Sequence, residues 1–376
     1  MTKDKSLSIY DNEYINLIFD KIDNSQNIAF ICHDTPDPDC IGPASALAEY
    51  CVSKGISYKI FYGGNISHLQ NKALVNVLNI SLTRFQSILD SYEGEEEKDA
   101  ITIVDDYITT NFDLVILLDT SSYGGKGNVK MCQVIPDIII DHHQEEIDIN
   151  GDADKIKVLN KKCGSTSSII TSMFKSKDID ISNNAATSLF IGLMTDTNFL
   201  TSSNVDEIDH EANNYLLQHV DFALYTRVMN FEMPEELLKV KSLAYSDKYF
   251  FRKNTLAIVG TGCLRPEFKD LTAIIADEVI RIEGIQKVVA ISILEDRNDL
   301  KYIIASIRTS GDTTNTTVFA KSIFGSNHAG AKRGSGGAFL PLDCFSSSLM
   351  NVDKTKFFDL VYDHYKKIIL DIHADA

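Results

Sequence analysis

The six residues Ile138-Ile139-Ile140-Asp141-His142-His143 constrain this chain more than any other stretch. Three β-branched apolar residues in a row predict a strand buried on both faces. The acid and two imidazoles that follow then stand at its carboxyl end. Other apolar segments finish the same way. Asn27-Ile28-Ala29-Phe30-Ile31-Cys32 runs into His33-Asp34-Thr35-Pro36-Asp37-Pro38-Asp39, Asp113–Leu118 runs into Asp119, and Leu193-Met194-Thr195 runs into Asp196.

Between these strands the apolar spacing turns helical. The pattern predicts helices over 9–22, 41–53, 69–80, 165–175 and 183–195, with a further strand at 58–62. Gly164-Ser165-Thr166 reads as a helix N-cap. Strands that are nearly continuous in apolar residues and alternate with helices imply a parallel sheet covered on both faces. In such sheets sites form outside the carboxyl ends of the strands. The acidic run 91–99 reads as a solvated loop, and 206–244, charged and helical, as a connector. From 245 the strands Leu256–Val259, Val288–Ile293 and Tyr302–Ile307, with a helix over 271–283, predict a second α/β domain. The expected division is therefore 1–205, 206–244 and 245–376.

A length of 376 residues allows two domains with separate cores. The seven scattered cysteines form no CxxC pair, which fits a reduced cytoplasmic setting better than a disulfide framework. No run reaches the roughly eighteen apolar residues of a membrane helix, so no membrane partner is expected. A formal net charge of −17 argues against a grip on long nucleic acid, which needs a basic footprint. Small anionic substrates remain compatible, because bound divalent cations reverse the sign of one cleft.

Asp37, Asp39, Asp119, Asp141 and Asp196 are a crowd of acids that would repel one another without neutralising cations. Two divalent ions need a bridging carboxylate, further carboxylate or imidazole ligands, and open positions for water and substrate. Asp37 and Asp39 lie two residues apart in an extended loop, so they can reach different ions.

In order and spacing, His33-x-x-Pro36-Asp37-x-Asp39, Leu118-Asp119-Thr120-Ser121, Asp141-His142-His143 and Thr195-Asp196-Thr197 resemble the four motifs of the DHH phosphoesterase superfamily, over residues 28–200. The resemblance implies an N-terminal parallel-sheet DHH domain followed by a smaller DHHA1-like domain. It implies one metal on His33, Asp37 and Asp119 and a second on Asp39, Asp119, His142 and Asp196, with Asp119 bridging. His143 would meet the phosphate or leaving oxygen, making it and Asp119 the catalytic pair, and Asp141 would orient its neighbours. Manganese is the expected metal, with cobalt, magnesium and iron as alternatives.

In the C-terminal region Arg308 ends a strand and suits a bidentate grip on phosphate. Gly325-Ser326-Asn327-His328 occupies the place of a family Gly-Gly-Gly-His loop, departing from it at Ser326 and Asn327. The run that follows, with Lys332, Arg333, Gly336 and Gly337, offers charge and approachable backbone N–H groups as an alternative phosphate cradle. The aromatics at 249–251 and 357–365 read as core. The expected function is metal-dependent hydrolysis of small phosphorylated nucleotides, either short oligoribonucleotides or adenosine 3′,5′-bisphosphate. Exopolyphosphatase or pyrophosphatase activity and cyclic-dinucleotide cleavage are alternatives, and a silent nucleotide-binding protein is a further one. A homodimer is compatible with all of them.

Overall fold

The computed structural model describes residues 12–66, 68–93, 98–123, 128–143, 157–160, 162–296, 299–310, 315–332, 334–342 and 353–374. The chain divides into two compact units, Met1–Glu232 and Met233–Ala376.

In the first unit six strands, β1 (Asn27–Cys32), β2 (Ser57–Tyr62), β3 (Thr83–Arg84), β4 (Leu114–Leu118), β5 (Ile138–Asp141) and β6 (Lys157–Asn160), form one sheet in the order β3-β2-β1-β4-β5-β6. Every pairing is parallel. The continuous apolar runs have the predicted cause: alternate residues fill cores on opposite faces. Ile28, Phe30, Cys32, Ile116, Leu118, Ile138 and Ile140 face one core. Ala29, Ile31, Phe61, Val115, Leu117 and Ile139 face the other.

The first core is closed by α1 (Asn12–Asp23), α2 (Pro38–Lys54), α6 (Thr166–Ser176) and α7 (Asn183–Asp196). Helix α3 (Leu69–Val77) packs beside α2. The second core is closed by α4 (Phe85–Asp90) and α5 (Ala100–Asn111). The chain leaves β1 toward β2 on one side and later takes up β4 on the other. The switch point of the sheet therefore lies between β1 and β4, where a crevice opens at the strands' carboxyl ends.

The stretch 206–244 belongs to both units. In α8 (Glu207–Leu216), Ile208, Ala212 and Leu216 complete the first core, and Val228 of α9 (Phe222–Met229) joins a smaller cluster with Ile41 and Ile191. Leu237, Val240 and Ala244 of α10 (Glu235–Ala244) are buried in the second unit. Amphipathic faces, not turn signals, decide where the chain divides.

The second unit carries β7 (Phe250–Lys253), β8 (Leu256–Leu264), β9 (Lys287–Asp296), β10 (Asp299–Thr309), β11 (Ala329–Lys332) and β12 (Ser335–Pro341), in the order β11-β12-β10-β9-β8-β7. All neighbours are antiparallel except β8 and β9. Among the described residues α10 and three further helices, α11 (Leu271–Val279), α12 (Thr316–Phe324) and α13 (Lys354–Ala374), accompany the sheet. Tyr249, Phe358, Tyr362 and Tyr365 are core residues, as read from the sequence. The described cysteines, at 32, 40, 51, 132, 163 and 263, are all free. Among the described residues no helix is long and apolar enough to cross a membrane.

Candidate metal centre

Three strand ends and one helix end converge on the crevice. His33 follows β1, Asp119 follows β4, Asp141-His142-His143 ends and follows β5, and Asp196 is the last residue of α7. Asp119 takes a positive φ of 57°, a left-handed conformation that costs a non-glycine residue energy but that Asp tolerates. Its N–H is held by the Ile140 carbonyl at 2.9 Å. Gly192 lets α7 lie against the start of α2, since a Cβ there would stand 2.8 Å from the Pro38 carbonyl oxygen and 3.0 Å from Asp39 Cα. That close approach brings Asp196 to the crevice.

Asp119 presents its two oxygens to two different histidines. Its Oδ2 is 3.6 Å from His33 Nε2, and its Oδ1 is 3.5 Å from His142 Nε2. His33 Nε2 is also 3.9 Å from Asp37 Oδ1. Around His142 Nε2, Asp39 Oδ2 lies at 3.8 Å and Asp196 Oδ2 at 3.3 Å. These separations are too long for good hydrogen bonds. Against the roughly 3–3.5 Å expected between ligands that each lie ~2.1 Å from one shared ion, the Asp119 Oδ1 and Asp196 Oδ2 separations from His142 Nε2 fit, and the other three, at 3.6–3.9 Å, lie slightly beyond it. His142 Nε2 is buried without a hydrogen-bond partner, although buried polar atoms are nearly always satisfied. The donor set therefore fits divalent cations, with Asp119 Oδ1 and Oδ2 facing separate clusters.

The ring tautomers fit as well. His142 Nδ1 lies 3.2 Å from the Cys163 carbonyl, which can only accept, so in the neutral ring Nδ1 carries the proton and Nε2 would present its lone pair to an ion. Asp39 has both oxygens engaged by the N-terminus of α6: Thr166 N–H donates to Oδ2 at 2.7 Å and Ser167 N–H to Oδ1 at 2.9 Å. Thr166 Oγ1 donates to Asp119 Oδ1 at 2.8 Å. Asp37 is the N-cap of α2, accepting from Asp39 and Cys40 N–H at 3.0 and 3.1 Å. Asp141 is fully buried, and its Oδ1 is 2.8 Å from His143 Nδ1, leaving the half-exposed His143 ring fixed from behind.

Without cations the crowd takes up protons. Burial would lower the pKa of His33, but the neighbouring carboxylates of Asp119 and Asp37 override this and raise it to about 10. His142 rises to about 9, where the charges of Asp39, Asp119 and Asp196 outweigh burial. Burial raises Asp196 to about 6, and burial plus the charges of Asp119 and Asp196 push Asp39 well up. The bond to Asp141 raises His143. Cys40 Sγ is also within reach of His33 and Asp119. Burial raises its pKa well above that of a free thiol, and the Sγ–H donates to the Leu118 carbonyl at 3.4 Å.

Reading the sequence alone missed Thr166, Ser167 and Cys163. The Gly164-Ser165-Thr166 cap signal marked the place, and Ser165 is indeed the N-cap of α6. That two N–H groups of this helix end would hold Asp39, 127 and 128 residues away, is not visible in local pattern.

In the second unit Arg308 is already gripped by protein. Its Nε and Nη2 donate to Asp277 of α11 at 2.6 and 3.1 Å, and Nη1 donates to the Ile307 carbonyl at 3.0 Å. Gly336 and Gly337 stand in β12, paired with β10 on one edge and β11 on the other. Their backbone groups are therefore spent on ladders, not held open in a loop, because successive residues of a doubly paired strand bond to opposite neighbours. Lys332 closes β11 opposite Ser335. His328 is exposed in the turn after Gly325, its N–H 3.3 Å from the Gly325 carbonyl. Arg333 lies outside the described residues.

Residues 27–193 match the DHH family, N-terminal domain. An uncharacterized protein of Methanocaldococcus jannaschii is 28% identical over 346 residues, which is 92% of this chain and 64% of that protein. The chain thus spans less than two thirds of that relative's length. Among solved structures, an exopolyphosphatase-related protein from Bacteroides fragilis aligns with a TM-score of 0.63 at 16% identity, over 93% of this chain and 98% of that one. RecJ from Thermus thermophilus, solved with magnesium, aligns with a TM-score of 0.40 at 10% identity, over 96% of this chain and 54% of that one. The stretch that matches the DHH family, N-terminal domain, lies within the first unit.

Proposed function

We propose that this chain hydrolyses phosphoester bonds of small phosphorylated nucleotides with the help of two divalent cations. Short oligoribonucleotides, trimmed one nucleotide at a time, and adenosine 3′,5′-bisphosphate are the preferred substrates. The observation that carries the reading is the divided Asp119 carboxylate, one oxygen toward His33 and the other toward the orphaned Nε2 of His142. One ion would rest on His33, Asp37 and Asp119, and the other on Asp39, Asp119, His142 and Asp196. Mixed imidazole and carboxylate donors suit manganese, cobalt or iron, with magnesium less favoured.

When bound, the cations supply Lewis acidity to the phosphoryl group and to water. The protein's part is positional. The N-terminus of α6 and Thr166 hold Asp39 and Asp119 against rotation, and the Cys163 carbonyl fixes the His142 ring. The bond to Asp141 raises the pKa of the half-exposed His143 and so favours its protonated form. That form can donate its proton to a phosphoryl or leaving oxygen. A net charge of −17 fits a short substrate better than a long polyanion.

A second reading is hydrolysis of inorganic polyphosphate or pyrophosphate. Arg308, Gly336 and Gly337 were expected to grip phosphate, not a base, and are compatible with either substrate class, and all three are occupied by internal partners. The deciding assay supplies manganese, with chelator as control, and compares initial rates on two- to five-nucleotide RNAs, the bisphosphate, cyclic dinucleotides and polyphosphate. Chelator-sensitive turnover fastest on the short RNAs or the bisphosphate is expected. Preference for polyphosphate would select the second reading, and metal binding without turnover would leave only a nucleotide-binding role.

A further inference from the structure

The segment Cys163–Ser168 touches several proposed ligands at once. The Cys163 carbonyl accepts from His142, Thr166 and Ser167 N–H donate to the two oxygens of Asp39, and Thr166 Oγ1 donates to Asp119. These contacts join the start of α2, the residue that follows β4 and the residue that follows β5 through one short collar. The placement of that collar therefore sets the distances between ligands that come from separate elements.

The collar is held in turn by one side chain. Asp209, on α8 and completely buried, accepts from Gly164 N–H at 2.7 Å with Oδ2 and from Ser168 Oγ–H at 2.6 Å with Oδ1. Its two oxygens thus grip the collar on either side of Thr166 and Ser167. Residue 164 has to be glycine for this: a Cβ there would stand 2.9 Å from Asp209 Oδ2 and 2.5 Å from Thr197 Cγ2. Asp209 lies beyond residues 27–193, the part that matches the family.

We infer that Asp209 is a positioning residue for the metal centre, acting through the collar on Asp39, Asp119 and His142. This rests on the two-cation reading above. Asp209 also has an ordinary duty, since Oδ2 accepts Asp206 N–H at 2.9 Å and completes the capping box of α8. The two duties are separable. Asp206 caps the same helix, accepting Glu207 N–H at 2.7 Å, and has no bond to the collar among the described residues.

The test titrates the full-length protein with manganese, reading free ion by its paramagnetic resonance signal and melting temperature in parallel. In Asp209→Ala and Ser168→Ala the dissociation constant of the weaker ion should rise about tenfold, as for other groups that orient metal ligands. Asp209→Asn keeps the shape and an acceptor for Gly164, and should recover most of that loss. Asp206→Ala should lower the melting temperature of the metal-free protein and bind manganese as the parent does. If Asp209→Ala fails to fold, Ser168→Ala, which cuts the same grip from the collar side, decides. Parent-like manganese affinity in a folded Asp209→Ala and in Ser168→Ala overturns the inference alone. A parent protein that takes up no manganese overturns the two-cation reading with it.

Discussion

The corner at β1, β4 and β5 and the region of β10, β11 and β12 were both expected to meet the substrate, yet they differ in unspent polar capacity. At the first, acids lie within 3.3–3.8 Å of a buried imidazole nitrogen that has no hydrogen-bond partner. At the second, the arginine is paired with Asp277 and the glycines are committed to ladders. A cluster left unsatisfied by its own protein is organised for something else, because burying polar groups without partners is costly. A region that satisfies itself needs no ligand to account for it.

The most damaging change should be at Asp119. Asp119→Asn removes the charge that both clusters share, so turnover on any phosphoester substrate should fall by about 10³-fold or more, with loss of the weaker manganese ion in a titration. Residual turnover within tenfold of the parent would remove Asp119 from the bridging position, and with it the contrast between the two regions.

Much of this corner was legible because its strands are buried on both faces. Ile138-Ile139-Ile140 could hardly be anything else, and an acid followed by two histidines is chemically conspicuous at the end of such a run. The collar and Asp209 were not legible. A Gly-Ser-Thr helix start looks the same whether its N–H groups meet water or a carboxylate more than a hundred residues away. Asp209 sat in a charged helical stretch whose burial depends on tertiary packing against α6 and α7. The glycine run misled for the opposite reason. Glycine signals backbone freedom, but a strand also uses it where neighbours come close, and pairing of β12 with β10 is a long-range fact.

A change of pH should produce the next largest effect. His33 and His142 stand at about 10 and 9 without metal, above the 6.5 of an unfolded histidine. A raised folded pKa means stability present in full below pH 6.5 and lost as pH climbs through 9 and 10. Asp196, raised to about 6, works in the same direction: its protonated form favours the fold, and that benefit fades as pH rises through 6. The melting temperature of the metal-free protein should therefore fall between pH 5 and 10. Because cations displace these protons, the gain in melting temperature on adding manganese should grow over the same range. Calorimetry at pH 7.5 in buffers of different ionisation enthalpy should register release of roughly two protons. A pH-independent gain would mean that the histidines are neutral without metal.

Arg308 tests the second region. Its Nε and Nη2 edge is taken by Asp277, itself about half exposed, so the pair adds little stability. If the remaining N–H groups meet a substrate phosphate, Arg308→Ala should raise KM about tenfold, near 1.4 kcal/mol, with kcat little changed. Asp277→Ala, which frees the guanidinium, should leave KM unchanged or lower it. Equal small losses of melting temperature in both variants with no change in KM would make the pair a strap between β10 and α11 and nothing more.

The glycines give the smallest effects and the sharpest distinction. A Cβ on Gly336 would stand 2.8 Å from Ala331 Cβ and 3.1 Å from the Gly330 carbonyl oxygen, whereas one on Gly337 would meet the Ala305 carbonyl oxygen at an ordinary 3.5 Å. As ladder residues the two should behave differently. Gly336→Ala should cost about 1 kcal/mol of stability through crowding, while Gly337→Ala should be neutral or gain up to ~0.5 kcal/mol by restricting the unfolded chain. KM should stay at the parent value in both. If backbone N–H groups here cradle a phosphate, added methyl groups should hinder its approach at both positions. KM would then rise together in the two variants, whatever happens to stability. Denaturant melts set beside steady-state kinetics therefore separate a strand that pairs from a loop that binds, using two substitutions one residue apart.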